Sequence, residues 1–168
     1  QYDRKLTTDK DGISFDECVQ KNSRWNATFE KEKLWWADQI QEIHRHAKDP
    51  NVLRAILKTY YSSIRPGQSD DLQCDKRLAV EQSREGVAHF VGSLALLEER
   101  LVNDDKLTEI DQAYSKVPFN VQNMMGVYLT GGALSWLLYY QMGSDFIAEI
   151  EKSRTPYEIG LQLLESSH

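Results

Sequence analysis

The sequence predicts an all-α single domain, a bundle of about six or seven helices packed around one central apolar helix. Three observations carry this. Residues 117–142, VPFNVQNMMGVYLTGGALSWLLYYQM, form the longest stretch that is apolar on more than one face. Val121, Met124, Met125, Tyr128, Gly132 and Trp136 recur there at three- and four-residue spacings, with Val127, Gly131, Leu134 and Leu138 in a second stripe beside them. A helix wet on neither side belongs in the middle of a bundle. Several other segments carry a single stripe of helical period, and no segment alternates apolar and polar residues as a half-buried strand would.

The first 24 residues are polar, with Ile13, Phe15 and Val19 as apolar anchors, and read as an N-terminal arm that holds one short helix. Residues 25–168 are the helical domain. Phe29, Trp36, Ile40, Ile43 and Ala47 mark a helix over 28–48, begun by Asn26 or Thr28 and stopped before Asp49-Pro50. Pro50 opens the next, striped by Leu53, Ile56, Leu57, Tyr60 and Ile64 and ended by Arg65-Pro66-Gly67. A polar loop to Gln73 precedes a long helix over 75–102, whose stripe of Val87, Phe90, Val91, Leu94, Leu97 and Leu101 is expected to pack on the central helix.

Asn103-Asp104-Asp105 caps a short helix carrying Leu107, Ile110 and Tyr114, and Pro118 starts the central one. Gly126, Gly131 and Gly132 each cost a helix interior about 1 kcal/mol relative to Ala, so a neighbouring backbone is expected to come close there. Gly143-Ser144 ends that helix. Phe146, Ile147 and Ile150 give the next a buried face, and Thr155-Pro156-Tyr157-Glu158 is a capping box opening the last.

The chain of 168 residues, 40% hydrophobic and 27% charged, is of ordinary one-domain size and composition. Its formal charge of −6 leaves no surplus of cations for phosphates, which speaks against nucleic acid and anionic membrane surfaces as partners. No apolar run approaches the roughly 20 residues needed to cross a bilayer. Cys18 and Cys74 are an even pair, and a bridge between them closes a loop of about 56 residues with a stabilisation of about 4 kcal/mol. A start at Gln1 without Met, the cysteine pair and the Asn26-Ala27-Thr28 sequon lead us to expect a secreted or periplasmic chain rather than a cytoplasmic one.

Two sets of residues can carry function. Glu85 and His89 lie four apart on the long helix, a spacing that presents two ligands to one metal such as zinc. The other histidines, His44 and His46, point to different sides and read as solvated residues near a helix end. The tandem pairs Trp35-Trp36 and Tyr60-Tyr61 suggest a protein-binding surface, because adjacent helical positions diverge by about 100 degrees and cannot both face one stripe. There is no G-x-S-x-G elbow, no glycine-rich loop after a strand and no Cys-x-x-Cys.

Arg84-Glu85-Gly86-Val87-Ala88, followed by a long helix with Tyr128-Leu129-Thr130-Gly131-Gly132-Ala133, resembles the helical half of the gluzincin zinc peptidases, over residues 52–167. The resemblance implies that Glu85 stands where the family has its third zinc ligand. It also implies a His-Glu-x-x-His motif on the preceding helix, and the best-placed counterpart is Lys58-Thr59-Tyr60-Tyr61-Ser62, which lacks all three chemical residues. Lysine and serine there cannot recruit zinc, and threonine cannot take a proton from water. The sequence therefore leads us to expect a non-catalytic binding protein, an adaptor, inhibitor or immunity-type partner that works without a cofactor on a degenerate peptidase-like framework. The alternative is a metal-dependent hydrolase that uses Glu85, His89 and zinc.

Overall fold

The structure, a computed structural model, describes residues 14–21, 23–65, 72–117 and 125–166. Among these the chain is helical, without a strand. In order, the elements are α1 (Phe15–Lys21), α2 (Ser23–Arg45), α3 (Pro50–Thr59), a π-helical turn π1 (Tyr60–Ile64), α4 (Leu72–Glu81) and a second π-helical turn π2 (Gln82–Gly86). There follow α5 (Val87–Glu98), α6 (Asp104–Ser115), α7 (Met125–Met142), α8 (Ser144–Glu151) and α9 (Pro156–Glu165). Glu81 and Val87, on either side of π2, keep ordinary helical dihedrals, so α4, π2 and α5 are one rod. Thr59 and Tyr60 join α3 to π1 in the same way.

The expected central helix is α7, buried from Leu129 to Leu138 and touching α2, α3, π2, α5, α6, α8 and α9. Its expected start at Pro118 lies outside the described residues. The expected helix over 75–102 begins at Leu72 and ends at Glu98, because Arg100 turns to φ 58° and Leu101 N–H bonds back to the Leu96 carbonyl. Caps fall where the residue types place them. Asp49 accepts from the Asn51 and Val52 amides, Asn103 accepts from the Lys106 amide, and Thr155 with Glu158 closes a full capping box.

Cys18 and Cys74 are bonded, with their Cα atoms 5.6 Å apart, and this ties α1 to α4. Around the bridge Phe15, Trp25, Phe29, Leu78 and Val127 form a second, smaller apolar cluster beside the main core. The end of the expected polar arm is thus part of the packed body: α2 starts at Ser23, and Trp25 stacks on Phe29 with ring centroids 5.9 Å apart. Residues 1–13 of the arm lie outside the described residues. Among the described residues no helix is long and apolar enough to cross a membrane.

Candidate functional site

The glycines of α7 explain how its neighbour is seated. A Cβ added to Gly86 would lie 2.4 Å from the Gly131 Cα, and one on Gly131 would lie 2.7 Å from the Gln82 carbonyl oxygen. The π2 turn and α7 therefore cross in backbone contact, which only glycine allows at both positions. Gly132 makes room for a side chain instead, since a Cβ there would stand 2.9 Å from His89 Cδ2.

That seating brings Glu85 and His89 to one edge of the crossing. His89 Nε2 lies 2.7 Å from Asp111 Oδ1 of α6, and Asp111 is buried. The His89 ring packs between Tyr114 and Tyr128, at centroid distances of 5.4 and 6.3 Å. Glu85 is half-buried, within 3.7 Å of the Arg84 guanidinium and near Tyr128. Burial first, and then the Glu85 carboxylate, push the Tyr128 phenol above its ordinary pKa. Asp111 was missed by the sequence reasoning: it sits on a different helix, one turn beyond Leu107 on its buried stripe.

Among the described residues no three His, Cys, Asp or Glu side chains gather in a group that could hold a metal ion. Lys58 and Ser62, which stand where the resemblance places two ligands, are exposed, and Thr59 Oγ1 donates to the Ala55 carbonyl.

A second polar cluster lies deep in the bundle. Glu32 of α2 is 3% exposed, and its Oε1 accepts from the Tyr60 hydroxyl at 2.9 Å and from Gln82 Nε2 at 3.2 Å. Gln82 Nε2 also donates to Thr130 Oγ1 of α7 at 2.8 Å. Arg65 brings Nη1 to 3.6 Å from Glu32 Oε2, donates from Nη2 to the Asp75 carbonyl at 3.1 Å, and stacks over the Tyr157 ring. Both π-helical turns thus deliver a side chain, Tyr60 and Gln82, to one carboxylate. Burial and the Glu32 charge raise the Tyr60 phenol far above its usual range and keep it a donor. The signal in the sequence was a defect in a stripe: Glu32 and Lys33 occupy the turn between Phe29 and Trp36 where an apolar residue was due.

Three of the four tandem aromatics lie inside the bundle, and Trp35 is partly exposed. Trp36 and Tyr60 are 0% exposed and Tyr61 is 9% exposed, while Trp35 is half-buried and stacked on Tyr60. Adjacent residues are both buried because α3 and π1 are covered from two sides. Tyr60 faces Trp36 of α2, and the Tyr61 hydroxyl donates to the Tyr157 carbonyl of α9 while its ring lies against Gly160. His44 is likewise not solvated. It is buried against Trp136, with Nδ1 2.9 Å from the Tyr140 hydroxyl, and burial lowers its pKa against the opposing pull of Asp104 and Asp111. His46 stays half-exposed beside Glu42.

Apolar surface appears elsewhere, on the outer side of α5. Ala88, Val91, Gly92, Ala95 and Leu96 are all exposed and recur at three- and four-residue spacing, opposite the buried Val87 and Phe90. Val91 is 50% and Leu96 39% exposed, and Leu101 just beyond is 66% exposed. A Cβ added to Gly92 would meet nothing within 4 Å. Fold and site together define an all-α, disulfide-tied bundle with a buried carboxylate junction and one apolar helix face turned outward. Comparison with protein-family models, with curated proteins and with solved structures found no match.

Proposed function

We propose that the protein is a non-catalytic helical binding module that docks another protein chain on the outer face of α5. The observation that carries this reading is the face itself: aliphatic residues at helical spacing stand in water on a helix whose opposite side is core. Single exposed apolar residues are ordinary, but Ala88, Val91, Ala95 and Leu96 share one exposed arc of α5. The acidic balance supports a protein partner over nucleic acid. The bonded cysteines support a secreted or periplasmic setting, where disulfides persist.

The test is capture of a partner by the tagged chain from its native extract, repeated with Val91→Glu and Leu96→Glu together. Loss of the captured protein, with an unchanged circular dichroism spectrum and melting temperature, is the expected result. A central contact of this kind is worth more than about 2 kcal/mol. Undiminished capture by the double variant would remove α5 from the reading. The rival, a metal-dependent hydrolase built on Glu85 and His89, has the His89 to Asp111 pair in its favour. It would take over if purified protein cleaved a peptide or ester in a chelator-sensitive way that Glu85→Ala abolished.

A further inference from the structure

Resting on the reading of α5 as a docking face, the pattern of that face also points to what covers it. Part of that face is arranged symmetrically about a point midway between Val91 and Gly92, with Leu96 outside the pattern because its counterpart Val87 is buried. Ala88 and Ala95 lie equally far from that point on either side, as do Arg84 and Glu99 beyond them. Arg84 and Glu99 are both exposed. Arg84 reaches Glu81 and Glu85 only at 3.6 and 3.7 Å, and Glu99 forms no ion pair among the described residues.

We propose that the partner on this face is a second copy of the chain, paired antiparallel through α5 about a two-fold axis passing between Val91 and Gly92. In that pairing each Val91 sits over the Gly92 of the other copy, a knob over an open hole, since nothing lies within 4 Å of a Gly92 Cβ. Ala88 meets Ala95 one turn further out, so the backbones can approach closely. At each end Arg84, on the π2 turn of one copy, comes near Glu99 of the other. The same surface is used twice, as a two-fold interface requires. Glu85 and Glu98 also come to the same ends but on the flanks, and Glu85 is turned toward Tyr128. A parallel pairing would set Arg84 against Arg84 and Glu99 against Glu99, so the charges select the antiparallel one. One helix face per copy is small beside the roughly 800 Å² per partner of a standard interface, so a weak, reversible dimer is expected.

The experiment is sedimentation equilibrium on the full chain over about 5 to 300 µM at low salt. Wild type should pass from monomer to dimer across this range. Arg84→Glu alone and Glu99→Arg alone should each weaken the dimer at least about tenfold, because each places like charges together at both ends, and the double exchange should restore it. Gly92→Leu fills the hole without touching its own chain, and should leave a folded monomer by circular dichroism. Wild type that stays monomeric to 300 µM, or a dimer indifferent to both charge changes and to Gly92→Leu, overturns the proposal. A monomeric wild type whose Val91→Glu Leu96→Glu variant still loses a captured protein would overturn the second copy while leaving the docking face in place.

Discussion

The junction around Glu32 and the outer face of α5 are inverted images of one another. One places a carboxylate, a guanidinium, a phenol and an amide where a bundle ordinarily holds hydrocarbon; the other places valine and leucine where a bundle ordinarily holds charge. The interior case is mostly paired within the chain: Glu32 takes donors from both π-helical turns and faces Arg65, while Arg65 Nη1 and Gln82 Oε1 keep no hydrogen-bond partner among the described residues. The exterior case is open, since the apolar residues of α5 have no neighbour across from them among the described residues. The difference teaches how each exception is met: buried charge is paired largely within the chain, whereas the hydrocarbon of α5 is left facing outward.

The largest expected effect comes from removing the centre of the closed region. Glu32→Ala leaves the Arg65 charge, the Tyr60 hydroxyl and the Gln82 amide without their shared acceptor. Breaking a buried pair in this way costs about 3 to 5 kcal/mol, measured as a loss of stability in urea unfolding. A loss below about 1 kcal/mol would mean that the junction does not hold the π-helical turns together.

A sharper contrast uses two glycines six residues apart on the same rod. Gly86→Ala drives a methyl into the Gly131 backbone, and with no flexible side chain to give way it should cost about 2 to 3 kcal/mol. Gly92→Ala, in open space, should stabilise the monomer by about 0.5 to 1 kcal/mol. Equal effects at both sites, read from paired denaturation curves, would erase the distinction between an inner and an outer side of this rod.

The smallest effect is a pH slope. The folded pKa of His44 lies below its ordinary value because burial opposes the charged ring, so the unfolded chain binds more protons as the pH falls through the region of the ordinary value near 6.5. The contribution is fully present above that value and is lost as the pH falls toward the folded pKa. Stability should therefore decline between about pH 7 and pH 5, and His44→Asn should flatten that decline. An unchanged slope in the variant would assign the decline to other groups.

Much of the fold was legible because it rests on local rules. Helical stripes, Pro50 and Pro156 at first turns, the Asn103 and Thr155 caps, and the apolar α7 each act over a few residues of the chain. The glycines of α7 even announced a close neighbouring backbone, though not that Gly86 would supply it. The site was less legible. Whether Tyr60 and Tyr61 are anchors or core depends on α9, almost a hundred residues further on, closing over π1.

By itself, then, the sequence determined the helices, their caps, the central position of α7 and the even pair of cysteines, since period and residue type are properties of a segment. Only the tertiary structure decided that Glu32 lies inside, that His89 turns to Asp111, that both tyrosines are covered and that α5 shows hydrocarbon to water. Burial is set by which segments meet, and a stripe wide enough to face the core on one side of α5 cannot reveal from spacing alone that its other side stays exposed.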